Sequence, residues 1–301
     1  MKTKFKNLSF KKDHFNFFQK LKFKLFKKWM SDETFANLSM ARWLNGGDVR
    51  KPKTFTEKLH WLNIYYKKEI LRDLADKYLV RNYVKYHIGN KYLNSLYSVY
   101  RNSEEIDFSD LPNSFVIKCS HGSGMNIFVE DKNKISIPDT KKQLNKWLKE
   151  DRSKPGREWF YSGRPRRIII EKLLLNNQNQ IPEDIKIFCF NGKPKMIQVD
   201  LNRFSRHTRA MFDINWNRLP VEYLYMAPKE DIPKPKDLDK MLYLAKCLSK
   251  NLPFVRIDFY SLPRIIFGEM TFFPEAGTGP FRPSKWDLKI GEWFDLPKNL
   301  D

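Results

Sequence analysis

Short apolar runs alternate along this chain with stretches of helical periodicity, and the two textures occupy different regions. Residues 31–68 read as helices. Pro52-Lys53-Thr54-Phe55-Thr56-Glu57 opens one of them: Thr54 suits the N-cap, and Glu57, three positions on, completes a capping box before Leu59, Leu62, Tyr65 and Tyr66. Another helix is expected from about Ile70 to Tyr86, closing at His87-Ile88-Gly89, where Gly89 suits a C-cap. From residue 111 the texture becomes β-rich, with runs at 115–118, 126–130, 167–171, 185–190, 196–200, 255–260 and 265–273. Helical stretches near 138–150 and 236–251 interrupt them. There is no internal repeat and no low-complexity linker. The pattern predicts an α+β protein, with a helical N-terminal region ahead of antiparallel sheets.

Charge adds a second feature. The formal net charge is +21 over 301 residues, and residues 1–30 hold ten lysines against one aspartate. Such a field favours polyanionic partners, whether nucleic acid, anionic lipid or acidic polysaccharide. Within the basic segment Phe15, Phe18, Leu21, Leu25 and Trp29 recur at three- and four-residue steps between Lys20, Lys24, Lys27 and Lys28. Phe17, Phe23 and Phe26 widen that face. A helix of this kind either lies on an anionic bilayer or packs on the domain with its lysines solvated. The start has no apolar core or cleavage site of a signal peptide, and no segment is long and apolar enough to span a membrane. Three widely spaced cysteines, Cys119, Cys189 and Cys247, form no metal or disulfide pattern, so reduced thiols in a cytoplasm are expected.

Candidate chemistry concentrates in two places. Val255–Tyr260 and Ile265–Thr271 flank a turn at Pro263, which would set Asp258 across from Glu269 and Arg256 across from Thr271. Opposed carboxylates repel unless a cation lies between them, and oxygen ligands of this kind suit Mg2+. A solvated acidic edge, neutralised by Arg256, is the other reading. Phe115–Lys118 runs into Cys119-Ser120-His121-Gly122-Ser123-Gly124, a loop that either lets backbone N–H groups approach phosphate beside Lys118 or is an ordinary hairpin loop. Asp184 and Lys186 share a strand face and read as exposed.

In order and spacing these pieces resemble the ATP-grasp superfamily, and within it the TupA-like family of polysaccharide-modifying proteins. The resemblance rests on PKTFTEKLHWL (52–62), ADKYLVRNYV (75–84), LPNSFVIKCSHGSGMNI (111–127), RIIIEKLL (167–174), DIKIFCFNGKPKMIQVD (184–200), FVRIDFY (254–260) and FGEMTFFPEAG (267–277). It implies two α+β lobes with antiparallel sheets gripping ATP, after a helical N-terminal region. The corresponding segments are 1–70 (basic, helical), 71–110 (linking helices), 111–175 (a lid lobe with the glycine loop) and 176–301 (a lobe with the metal hairpin). By the same resemblance Lys77 and Lys118 contact phosphate, and Gly122, Ser123 and Gly124 form a flap. Glu171, Lys172 and Leu174 line the adenine pocket. Asp258 and Glu269 hold Mg2+, Arg256 steadies the reacting acyl group, and Lys186 stands where related ligases have arginine. Where the general pattern has Glu-x-Asn this chain has Glu269-Met270-Thr271, so Thr271 stands at the second metal position, and either a second Mg2+ is held more loosely there or another group such as Glu275 or a water replaces the ligand.

The implied reaction is an ATP- and Mg2+-dependent ligation of a uronic-acid carboxylate, in a capsular or cell-surface polysaccharide, to an amino acid or other amine. Arg203, Arg206, His207 and Arg209 are expected to form a basic loop, which either grips the acidic sugar or is merely solvated. A transferase of the same polymer pathway, glycosyl or phosphoryl, is the alternative function. A nucleic-acid-binding protein is the second, although no specific nucleic acid is expected for want of a recognised motif. The expected location is cytoplasmic, at the inner face of the membrane if residues 1–30 bind it.

Overall fold

Polar side-chain caps set the starts of the first three helices of this chain. In a computed structural model, which describes residues 12–203 and 205–300, Asn16 and Gln19 form a capping box for α1 (Phe17–Phe26). The basic positions before Lys12 lie outside the described residues. Ser31 caps α2 (Asp32–Trp43) by accepting from the Thr34 N–H. Thr54 and Glu57 make the predicted capping box at the head of α3 (Phe55–Tyr65), satisfying N–H groups that have no partner inside the helix.

The single helix expected from Ile70 to Tyr86 is two, α4 (Ile70–Ala75) and α5 (Val80–His87). Asp76 causes the break. One of its oxygens accepts from the N–H groups of Tyr78 and Leu79, and the other accepts from the Ser120 hydroxyl at 2.6 Å. Side-chain bonds to the local backbone compete with a continuous helix, so Lys77 sits in the gap. Gly89, with φ at +103°, ends α5 as expected, its N–H donating to Val84.

The chain divides into two units. One comprises residues 68–182 and 259–270. It holds an antiparallel sheet in the order β1-β4-β2-β3, formed by Leu96–Tyr100, Phe115–Cys119, Asn126–Val129 and Ile168–Glu171, which are β1 to β4 in chain order. Phe115, Ile117 and Cys119 pack with Ile168, Ile170 and Leu144 of α6 (Ile137–Lys149) in one apolar core. Because Val116 is opposite Glu171, strand alternation puts Val116, Lys118, Ile169 and Glu171 on the other face.

The other unit comprises residues 1–67, 183–258 and 271–301. The helical N-terminal region thus groups with later strands rather than standing alone. The second sheet has the order β10-β9-β5-β6-β7, and this unit holds β5 (Asp184–Phe190), β6 (Lys193–Leu201), β7 (Thr208–Phe212) and most of β9 (Phe254–Ser261), while β10 is Ile265–Thr271. The short β8 (Glu222–Tyr223) pairs with β11 (Phe281–Arg282). All seven residues of β5 are buried. Its odd positions, with Ile197, Val199, Val255 and Ile257, form an apolar face. Near it lies α7 (Leu238–Leu248), close enough that the Cys189 thiol is 3.9 Å from the Ala245 carbonyl. The even face changes character along the strands. Phe188, Phe190 and Phe254 surround Phe55 of α3 with ring centroids 5.1–6.4 Å away, and beyond them the same face carries charged residues.

His60 on α3 tests the packing of this unit. It is buried, its Nε2 donates to the Gly277 carbonyl at 3.0 Å, and Phe273 meets it edge-on. Burial pushes its pKa down to about 4. The unfolded chain therefore takes up a proton first, and this stabilisation is complete above the ordinary histidine pKa and lost as pH falls towards 4, amounting to roughly 3 kcal/mol. Replacing His60 with Gln should flatten the slope of unfolding free energy against pH between about 6.5 and 4 relative to the parent. Chemical denaturation across that range measures it, and parallel slopes would refute the assignment.

Candidate active site

In the unit of residues 68–182 and 259–270, the ordered charges gather at the end of β4. Glu171 is buried, and its two oxygens accept separately, from Lys118 at 2.8 Å and from Arg81 of α5 at 2.7 Å. Lys77, in the gap that Asp76 makes, donates its backbone N–H to Ser120 and its ammonium to the Gly122 carbonyl, and lies 3.7 Å from Glu269. Arg152 donates to the Ser123 carbonyl at 3.1 Å. Two cations thus grip consecutive carbonyls of the glycine loop. Gly124, at φ +73°, occupies a conformation that residues with a side chain rarely adopt. Lys172 has an exposed side chain; its N–H donates to Ser95 and its carbonyl accepts from Asn94. Half-buried Leu174 follows in irregular backbone.

In the other unit, the charged part of the even sheet face forms a buried network. Asp258, 2% exposed, accepts from Arg256 Nε at 2.8 Å on one oxygen. Its other oxygen accepts from Arg256 Nη2 at 2.8 Å and from Lys186 at 2.6 Å. Lys186 also donates to Asp184 at 2.6 Å, which further accepts from Arg203 at 3.1 Å. Arg256 donates to the Thr271 hydroxyl at 3.1 Å. Beside this, Asp200 accepts from Arg209 at 2.5 Å and from Gln198 at 2.9 Å, while Arg209 reaches Glu275 at 2.9 Å. His207 stands 3.3 Å from Asp200 and lies over Tyr225. The register explains the grouping, because Lys186 is opposite Gln198 and Asp200 opposite Arg209.

Burial opposes each of these charges, and only their partners keep them ionised. For Lys186, burial lowers the pKa, but Asp258 and Asp184 outweigh it and hold it above the ordinary lysine value. For Asp200, burial raises the pKa, while Arg209 and His207 carry it well below the carboxylate range. Arg209 is held above its ordinary value against burial by Asp200 and Glu275. Asp184 Oδ1 and Gln198 Oε1 are buried polar atoms with no hydrogen-bond partner among the described residues.

Two sequence expectations change here. Asp184 and Lys186 are buried and paired, not exposed, because β5 is an inner strand and the strands beside it carry the buried charges Asp200 and Asp258. Arg209 is on β7 and buried, so it is not part of a basic loop; Arg203 and His207 lie before the strand, and Arg206 is exposed. Sequence reasoning passed over Arg81, Arg152 and Asp200. Arg81 had a signal, standing four residues after Lys77 and so on the side of a helix it would share.

The donors fit Mg2+. Asp258, Glu269 and Thr271 offer only hard oxygen atoms, and no group of three or more His, Cys, Asp or Glu placed to hold a metal occurs among the described residues. A Mg2+ ion commonly takes one or two carboxylates and completes its shell with nucleotide phosphates and water.

Residues 57–295 match the family described as TupA-like ATPgrasp. The chain belongs to this family. Its fold is the ATP-grasp fold that the motifs implied, and ATP and Mg2+ are the cofactors typical of ATP-grasp enzymes. No curated protein matches it. Among solved structures, it is similar to N5-carboxyaminoimidazole ribonucleotide synthetase bound to ADP, at 12% identity and TM-score 0.45, covering 73% of this chain and 51% of that one. It is similar to D-alanine–D-alanine ligase of Bacillus anthracis with ATP, at 17% identity and TM-score 0.41, covering 73% and 61%. A third is the ATP-grasp ligase PsnB with a precursor variant, Mg and ADP, at 10% identity and TM-score 0.37, covering 77% and 58%. The chain spans about half to three fifths of the length of these structures, and the likenesses carry nothing about substrate.

Proposed function

We propose that this protein is an ATP- and Mg2+-dependent carboxylate–amine ligase that joins a uronic-acid carboxylate of a capsular or cell-surface polysaccharide to an amino acid or other amine. Family membership supports the reaction class, and the buried convergence of Arg256 and Lys186 on Asp258 is the observation that carries the site. When bound, ATP supplies the phosphoryl group that makes the carboxylate an acyl-phosphate, and Mg2+ offsets the charge of the phosphates. The chain's own contribution is charge placement. Lys77 and Lys118 bind phosphate, Gly122, Ser123 and Gly124 cover it, and the Glu171–Leu174 segment seats adenine. Asp258 and Glu269 are the metal ligands, with Thr271 beside them. Arg256 and Lys186 neutralise the oxygen that becomes negative as the amine attacks. The net charge of +21 suits a polyanionic substrate. Three free cysteines support a cytoplasmic setting.

Arg203 is the better probe of the acidic substrate, since it is partly exposed while Arg209 is locked by Asp200 and Glu275. Screening uronic-acid oligosaccharides against amines should give ADP release that requires both. With the active pair, Arg203→Ala should raise KM for the oligosaccharide about tenfold and leave KM for ATP unchanged, a loss of the size of one charge-assisted hydrogen bond. ADP release without amine would instead indicate a phosphotransferase. An unchanged oligosaccharide KM would remove Arg203 from the substrate site.

A further inference from the structure

Helix α1 has two apolar sides, and among the described residues its neighbours pack against only one of them. At about 100° per residue, Phe17, Leu21, Leu25 and Phe18 fall on one arc and Phe23 on the opposite side. Phe23 is the inward residue, with its ring centroid 5.9 Å from Phe15 and 5.6 Å from Phe35 of α2. Asp13 ties the segment down by pairing with Arg42 at 2.8 Å and Lys20 at 3.3 Å. The outward arc stays in water: Phe17 is 73% exposed, Phe18 71%, Leu21 44% and Leu25 62%. Phe26 and Trp29 extend it, at 56% and 81%. No residue of α1 is buried.

A contiguous patch of large apolar side chains marks a contact surface, and its rim says which kind. Lys20 and Lys24 border one edge of the arc and Lys22 the other, and residues 12–30 hold six lysines against Asp13 alone. A second copy of this chain would set one lysine rim against another. An anionic lipid surface accepts both features, taking the apolar arc between its chains and the lysines among its headgroups. We propose that α1 docks in the interface of an anionic bilayer, with Phe17, Phe18, Leu21 and Leu25 inserted and Trp29 at headgroup level. The mode is peripheral, since no helix among the described residues is long and apolar enough to cross a membrane.

Co-sedimentation of the full chain with vesicles tests this directly. The protein should pellet with phosphatidylglycerol and phosphatidylcholine in equal parts, stay in solution with phosphatidylcholine alone, and be released by high salt. Leu21→Glu/Leu25→Glu should reduce partitioning about tenfold or more, and Lys22→Glu/Lys24→Glu should bring it to the phosphatidylcholine level. These side chains are exposed, so both variants should keep the parent's circular dichroism. Neither touches a proposed site residue, so soluble ADP release should be unaltered, which separates this surface from the ligase reading. Equal pelleting of parent and variants, or equal binding to both vesicle types, would overturn the proposal. A dimer that binds no vesicle and dissociates in Leu21→Glu/Leu25→Glu would also overturn it, and give the face to a second copy.

Discussion

Asp258→Asn should abolish turnover and weaken the fold, whereas Glu269→Gln should abolish turnover and leave the fold almost as stable as the parent. The two carboxylates share a proposed role but live in different surroundings. Asp258 is 2% exposed and accepts hydrogen bonds from buried cations, Arg256 twice and Lys186 once. Removing its charge leaves two buried cations short of a counter-ion, a change that typically costs about 3–5 kcal/mol. Glu269 has a side chain one-third exposed and lies 3.7 Å from Lys77. An ion pair with that much exposure contributes about 0–1 kcal/mol. For turnover, losing either metal ligand should cost at least about a hundredfold, the scale seen when one group that stabilises transition-state charge is removed. Denaturant unfolding gives the stability difference, and ADP release at saturating ATP gives the rate. Full turnover in either variant would sink the metal assignment, and equal destabilisation would mean that Glu269 is as much a structural counter-ion as Asp258.

That contrast also marks where the sequence could be read and where it could not. Local signals were legible: the capping box of Thr54 and Glu57, the C-cap at Gly89, and the alternation of Val255, Ile257 and Phe259 on β9 all formed as expected. What failed depended on residues far away in the chain. The break at Asp76 is secured by Ser120, which no window around residue 76 contains. Asp184 and Lys186 look like an exposed strand face because polar residues at alternate positions usually are one. They are buried because β6 and β9 bring further charges to the same face. Arg209 looked like part of a basic loop because cations crowd residues 203–209, while the strand it lies in is only five residues long. The short β8 and β11 have too few residues for any period to show.

Glu171 is the residue for which the family motif and the local geometry ask for different experiments. As part of the adenine pocket it would discriminate the base. As the structure places it, it is the common counter-ion of Lys118 and Arg81, whose side chains are only 21% and 16% exposed. Glu171→Gln keeps the shape and removes the charge, and should cost about 2–4 kcal/mol, slightly less than for a fully buried pair because both cations retain some water. A second change identifies the cause. Lys118→Met in the same chain removes one of the stranded cations, so the double variant should recover part of the loss, with a coupling of about 1–3 kcal/mol. Base discrimination is then measured separately, as the ratio of kcat/KM for ATP to that for GTP in the single variant. If Glu171 serves the ion pairs, stability falls and the ratio holds. A collapsed ratio with stability intact would make it a reader of adenine instead. Arg81 predicts the first result, since a carboxylate held from both sides by cations has its oxygens turned towards them and away from a neutral base.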